Sequence, residues 1–230
     1  MSFPDFNASD AHIQWQRFCD LSWYHDDLGV WLDISRMHVN ATDLQQLQPR
    51  MDKAFAAMQE LEAGAIANPD EQRQVGHYWL RTPELAPSSE LQQHISREID
   101  LIAAFGRDVI NGTIKAPNGE AFTDVLWIGI GGSGLGPALM IKALQNPGEG
   151  LPFHFFDNVD PNGMSNVLAG LEGRLDRTLV VTVSKSGGTP EPHLGMEQAR
   201  HRLEAAGGQW AGQAVAVTML DSKLDQQAQK

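Results

Sequence analysis

The stretch Val181-Thr182-Val183-Ser184-Lys185-Ser186-Gly187-Gly188-Thr189-Pro190-Glu191 decides how the rest of the chain is read. An apolar run, Thr178 to Val183, leads straight into a loop of three hydroxyls and two glycines. Pro190 then opens a helix, because a proline at the first helical position gives up an N–H that would have had no partner there. Thr189 falls at the N-cap and Glu191 in the first turn, both helix-start signals. A strand, loop and helix in this order aim backbone N–H groups and the positive helix end at one point, which suits a phosphate or carboxylate. Ser184, Ser186 and Thr189 add side-chain donors, and Lys185 adds a cation. The stretch is equally compatible with a capped turn that binds nothing, so its meaning depends on the rest of the chain.

A second glycine loop lies upstream: Val125-Leu126-Trp127-Ile128-Gly129-Ile130-Gly131-Gly132-Ser133-Gly134-Leu135-Gly136-Pro137. It also follows an apolar strand and precedes a helical pattern from Ala138 to Leu144. Gly129, Gly131 and Gly134 satisfy the G-x-G-x-x-G spacing of dinucleotide folds, and Asp157 ends the next apolar run, about where a ribose-binding acid is needed. Against that reading, Asn158 and Asp160-Pro161 follow at once as a turn and helix cap. A dinucleotide site also gives no reason for the hydroxyl-rich loop after the third strand.

Together, Gly129-Ile130-Gly131-Gly132-Ser133-Gly134-Leu135-Gly136-Pro137 and Ser184-Lys185-Ser186-Gly187-Gly188-Thr189-Pro190-Glu191 resemble the sugar-isomerase (SIS) domain of the glucose-6-phosphate isomerase family. Asp157-Asn158-Val159-Asp160 is similar to that family's second-strand end, and Tyr78-Trp79-Leu80-Arg81 to its helical lead-in. The resemblance runs from Tyr78 to Thr218. It implies a flavodoxin-like three-layer sandwich and aldose–ketose isomerisation of glucose 6-phosphate and fructose 6-phosphate through an enediol. It further implies that Ser184, Lys185, Ser186 and Thr189 hold the 6-phosphate, that Gly132 and Ser133 lie beside the sugar hydroxyls, that no cofactor is used, and that the enzyme is a homodimer. Relatives with this loop often carry threonine where this chain has Gly188, so one side-chain donor is missing.

Composition sets the class. The 230 residues suffice for one large or two small domains. A net charge of −12 without a basic cluster argues against a nucleic-acid partner. In so acidic a protein, an anion site depends on dipoles and one or two local cations. Cys19, the only cysteine, points to a reducing compartment and, beside Phe18 in an apolar helical pattern, to a core position. The start, Met1-Ser2-Phe3-Pro4-Asp5, lacks the basic and apolar runs of a signal peptide, and no apolar run reaches membrane-spanning length. A cytoplasmic protein with no membrane partner is expected.

The pattern changes near residue 120. Residues 1–119 read as a mainly helical segment. Ser9 is the expected cap of a helix carrying Ile13, Phe18 and Leu21, and Thr42 with Gln45 resembles a capping box. Leu44, Leu47, Met51, Phe55, Met58 and Leu61 recur at helical spacing, with Pro49 predicting a kink or restart and Gly64 an end. Leu28 to Ile34 alternates like a hairpin arm. Asn68-Pro69-Asp70-Glu71 predicts another helix start, and Ser89 with Gln92 a further one that runs to Gly112. Residues 120–230 read as a first SIS α/β domain. Strands near 124–130, 151–156, 178–183 and 214–218 alternate with helices near 137–145, 160–171 and 190–206, the pattern of a parallel sheet covered on both faces. Ligands in such sheets sit beyond the carboxyl ends of the strands, where both glycine loops fall. After Thr218 comes a polar helical start, Leu220 to Lys230, and a four-stranded sheet would leave an open edge. The resembled isomerases continue into a second SIS domain, so the chain reads as the front portion of one.

Isomerisation needs a phosphate anchor, a ring-opening acid/base pair and a base to move a proton between C1 and C2. Only the anchor has a counterpart here, and no catalytic residue is assigned within the 230 residues. Glu191, at a helix N-terminus that favours a charged carboxylate, suits an orienting role. His193 reads as packed or solvent-facing, the histidines show no metal-ligand spacing, and Ser133 lacks the final glycine of a nucleophile elbow. Two alternatives stay open: a non-catalytic SIS module that senses a sugar phosphate, and a nicotinamide dehydrogenase resting on the first glycine loop.

Overall fold

A computed structural model describes residues 3–146 and 148–229. They divide into two compact units, one up to Glu98 and one from Ile99 onward, with the boundary inside a long helix.

In the first unit, α1 (Ala11–Leu21) is capped by Asp10, whose carboxylate accepts from the amides of His12 and Ile13. Asp10, not Ser9, is therefore the cap. The inward stripe of α1 is Arg17 and Leu21, one turn apart, while Cys19 is exposed, contrary to the core position expected for it. Arg17 is buried, and among the described residues no carboxylate pairs with it. Its guanidinium donates to the carbonyls of Pro4, Ser35, Met37 and Val39 at 2.8–2.9 Å, tying two loops to the helix. The arm foreseen at 28–34 is a hairpin of β1 (Ser22–His25) and β2 (Val30–Asp33).

The helix α2 (Ala41–Glu62) passes through Pro49 without restarting. Its capping box is Asn40 with Asp43 rather than Thr42 with Gln45, and none of its residues is buried. The helix expected after Asn68 is instead the turn of a hairpin, β3 (Ile66–Asn68) with β4 (Arg73–Gln74). Asn68 accepts from the amides of Asp70 and Glu71 as an N-cap would, but Gln72 then takes φ 52° and turns the chain back. Tyr78 to Arg81 folds as successive turns, with Trp79 buried beside Ala86 and Ile95. Ser88, not Ser89, accepts from the Leu91 amide at the start of α3 (Ser89–Ile110).

The second unit is built on a four-stranded parallel sheet: β5 (Asp124–Ile128), β6 (Phe153–Phe156), β7 (Thr178–Ser184) and β8 (Ala214–Thr218), in the order β6-β5-β7-β8. The helices between them are α4 (Gly132–Leu144), α5 (Pro161–Gly170), α6 (Pro190–Ala205) and a short α7 (Trp210–Gln213), with α8 (Lys223–Ala228) after β8. The α/β class, the parallel sheet and the strand–helix alternation foreseen from the sequence are thus present. Because β6 and β7 flank β5 on opposite sides, right-handed crossovers place α4 on one face and α5 and α6 on the other. One core joins Leu126, Ile128, Phe156 and Val180 to Leu168, Met196, Ala199 and Leu203. The opposite core joins Val125, Leu179 and Val181 to Val109, Ala116 and Phe122. Completely buried leucines such as Leu126 and Leu203 each contribute about 2 kcal/mol by leaving water. Gly195 lets α6 approach closely: a Cβ there would stand 3.0 Å from Ile128 Cγ2.

Two buried polar groups fix the sheet at its amino edge. Gln213, with no exposed surface, donates to the carbonyls of Leu175 and Thr178 and accepts from the Gln209 amide, each at 2.9 Å. Asp124, 1% exposed, accepts from Arg174 Nε at 2.9 Å, Arg174 Nη2 at 3.2 Å and Thr123 Oγ1 at 2.8 Å, and pairs with His154 Nε2 at 2.8 Å.

Candidate functional site

β5 and β7 are hydrogen-bonded neighbours, with Ile128 opposite Thr182. Their carboxyl ends therefore deliver both glycine loops to one edge of the sheet. The strand order also reverses at this pair, since the chain steps outward from β5 to β6 and returns across to β7. Crevices in open parallel sheets form at such switch points.

The loop after β7 is compact. Ser184, the last strand residue, is 5% exposed, and its hydroxyl lies 3.5 Å from Thr189 Oγ1. Ser186 Oγ lies 3.4 Å from the same Thr189 oxygen and accepts from the Gly188 amide at 3.3 Å. The three hydroxyls thus gather around Thr189. Thr189 holds the N-cap position of α6, as foreseen, yet its side chain makes no capping bond. It faces the other hydroxyls instead. Pro190 and Glu191 occupy the first turn of α6, Lys185 and Ser186 are exposed, and His193 is exposed further along the helix.

Gly187 is needed for its backbone: φ is 64°, and a Cβ would meet the Leu224 amide nitrogen at 2.5 Å and Ser222 Oγ at 2.7 Å. Those neighbours belong to the segment after β8, which closes over the loop from one side. Thr218 Oγ1 donates to the Ser184 carbonyl at 2.7 Å and lies 2.6 Å from Ser222 Oγ, while the Met219 amide donates to the Lys185 carbonyl at 3.3 Å. Sequence reading missed this closure. Its local signal was Ser222 with Asp225, an S-x-x-D helix start, and Ser222 does cap α8 by accepting from the Asp225 amide.

The loop after β5 turns into helix earlier than foreseen, because α4 begins at Gly132 and not at Pro137. Gly131, at φ 57°, makes the turn, and Gly134 must lack a side chain because a Cβ would strike the Gly129 carbonyl oxygen. Gly132 and Ser133 form the first turn of α4, Gly132 exposed and Ser133 half-buried. The Ser133 carbonyl has no helical donor, since Pro137 lacks an N–H, and it accepts from Trp127 Nε1 at 2.8 Å. Asp157 is exposed and accepts from Asn158 Nδ2, and Asp160 caps α5 by accepting from the Gly163 amide.

Electrostatically, the edge combines two helix N-termini, of α4 and α6, with the Lys185 side chain. That is an environment for an anion in a chain of net charge −12. Among the described residues, no group of three or more His, Cys, Asp or Glu side chains is placed to hold a metal ion, and no helix is long and apolar enough to cross a membrane.

The phosphoglucose isomerase family model matches residues 33–227, a span that includes both loops and the segment that closes on the second. The chain belongs to the phosphoglucose isomerase family. It is 99% identical over 230 residues to a glucose-6-phosphate isomerase of Synechococcus sp. (strain CC9605), covering all of this chain and 43% of that protein. It is 51% identical over its whole length to the one from Prochlorococcus marinus (strain MIT 9211), again covering 43% of the relative. Among solved structures, a glucose-6-phosphate isomerase from Chlamydia trachomatis D/UW-3/Cx matches with a TM-score of 0.77 and 29% identity, over 97% of this chain and 43% of that one. The chain thus spans less than half the length of the phosphoglucose isomerase relatives that it matches. One family match runs through both glycine loops, so the dinucleotide reading of the first loop alone has no remaining support.

Proposed function

We propose that the chain is the sugar-phosphate-anchoring front portion of a glucose-6-phosphate isomerase, which interconverts glucose 6-phosphate and fructose 6-phosphate through an enediol. The observation that carries this reading is the gathering of Ser184, Ser186 and Thr189 at the N-terminus of α6, beside the α4 N-terminus and at the strand-order switch. The 6-phosphate sits on that loop with Lys185, and the sugar hydroxyls lie towards Gly132 and Ser133. Glu191, half-buried in the first turn of α6, orients rather than reacts. The proton-transfer base and the ring-opening acid come from sequence beyond these 230 residues. The first SIS domain spans 120–230, behind a helical segment 1–119, and the whole enzyme is a cytoplasmic homodimer that uses no cofactor.

The test is calorimetric titration of the chain with fructose 6-phosphate. Ser184→Ala combined with Thr189→Ala should weaken binding at least tenfold, the loss of two hydrogen bonds to a charged group, while the circular dichroism spectrum stays unchanged. Unaltered affinity would remove the anchor assignment. The 230 residues alone should show no turnover, and measurable isomerase activity would place a base among them.

A further inference from the structure

We propose that Lys223 is a second cation of the anion site, carried there by the closure of the segment after β8. The inference rests on the reading of 184–189 as a phosphate anchor. Ser184 pairs with Thr218 in the sheet, so the two strands end together and the chain after β8 folds back across the loop after β7. The bonds from Thr218 Oγ1 to the Ser184 carbonyl and from the Met219 amide to the Lys185 carbonyl hold it there. Under this closure, Lys223 Cδ lies 3.8 Å from the position a Gly188 Cβ would take. The Lys223 stem therefore runs in van der Waals reach of the glycine that leaves the loop one side chain short.

Its charge is available. Lys223 is exposed, and among the described residues no ion pair engages it. The nearby Asp225 carboxylate accepts through Oδ2 from the Asp221 amide and from Gln229 Nε2, on either side of α8. A chain of net charge −12 repels a phosphate dianion at long range, so each cation at the site has a large share in the local field. An ammonium on a flexible stem can follow a phosphate oxygen without fixed geometry, which a backbone amide cannot.

Inorganic phosphate and fructose 6-phosphate would be titrated into the chain and into Lys223→Gln, Lys223→Arg and the Ser184→Ala/Thr189→Ala pair. Lys223→Gln keeps most of the stem and removes the charge. It should weaken both ligands about tenfold, the scale of one charge-assisted hydrogen bond. Lys223→Arg should keep most of the affinity. A merely structural Lys223 would instead move the urea midpoint and leave ligand affinity alone. Wild-type affinity in Lys223→Gln, with a loss in the Ser184/Thr189 pair, overturns the Lys223 proposal and leaves the anchor standing. Wild-type affinity in both overturns the anchor and the proposal with it.

Discussion

The Trp127 indole donates to the Ser133 carbonyl at 2.8 Å, the acceptor that Pro137 leaves without a helical donor. A proline at the sixth position of α4 would otherwise leave that carbonyl unpaired, and Trp127 closes the gap from the strand on the same glycine loop. Trp127→Phe should therefore lower stability by about 1–2 kcal/mol, mostly the cost of an unsatisfied carbonyl. Pro137→Ala returns the missing N–H, so the same Trp127→Phe change should cost less in that background. A double-mutant cycle by urea denaturation reads the difference, expected at about 0.5–1 kcal/mol of coupling. Strict additivity would mean that the indole contributes by packing alone.

The two glycines of the loop after β7 should respond unequally. Gly187→Ala places a Cβ at φ 64° and 2.5 Å from the Leu224 amide nitrogen, a backbone atom that cannot swing aside. The backbone term alone costs about 1–2 kcal/mol, and pushing α8 off the loop adds to it. Gly188→Ala makes only ordinary contacts, with the Lys223 stem at 3.8 Å and two Ser186 oxygens at 4.0 Å, and should change stability by less than about 0.5 kcal/mol. Thermal unfolding of the two variants separates them, and equal losses would mean that the closure of 218–224 over the loop does not persist in solution.

What could be read from the residues follows from how local each signal is. The central strands β5 and β7, and the hydroxyl loop that ends β7, announce themselves by apolar runs stopping at Gly129 and Ser184, because a parallel strand buried on both faces has no polar side. Caps were misplaced by one or two residues at Ser9, Thr42 and Ser89, since several neighbouring side chains compete and backbone geometry chooses among Asp10, Asn40 and Ser88. Asn68 misled for a sharper reason. Its bonds to the amides of Asp70 and Glu71 are the same in an Asx turn and a helix start, and only the positive φ of Gln72 decides between them. The closure of Thr218 and the chain after it over the loop after β7 was illegible beyond the helix start at Ser222, because it exists only once β8 lies beside β7.

Gln213 offers a test of the sheet's amino edge. Its amide pairs with three backbone groups and has no exposed surface. Gln213→Leu keeps the volume but strands the carbonyls of Leu175 and Thr178 and the Gln209 amide, at a cost of about 3 kcal/mol or more. Because α7 leads directly into β8, hydrogen exchange should rise first in 210–218. Uniform protection with unchanged stability would show that water replaces the side chain without loss.

Asp124 gives the second unit an acid limit. Burial is the largest single influence on its carboxyl and favours the neutral form, but hydrogen bonds from Arg174, His154 and Thr123, with the Arg174 charge, outweigh it. The net effect holds Asp124 below its ordinary value of 3.8. A carboxylate whose pKa is lower folded than unfolded stabilises the native state fully above its unfolded pKa. That contribution fades as pH falls through the folded one. Wild-type stability should accordingly decline from about pH 4 downward. Asp124→Asn should be less stable at pH 7, by about 1–2 kcal/mol, because a buried amide cannot accept all the bonds that Arg174, His154 and Thr123 make to the carboxylate. Since the variant has no proton to take up there, its deficit should shrink as the pH falls below 4. Urea midpoints of the two proteins between pH 7 and pH 3 should converge. Parallel curves would show that the Asp124 carboxyl titrates alike in the folded and unfolded chain, and that the bonds around it do not set the acid limit.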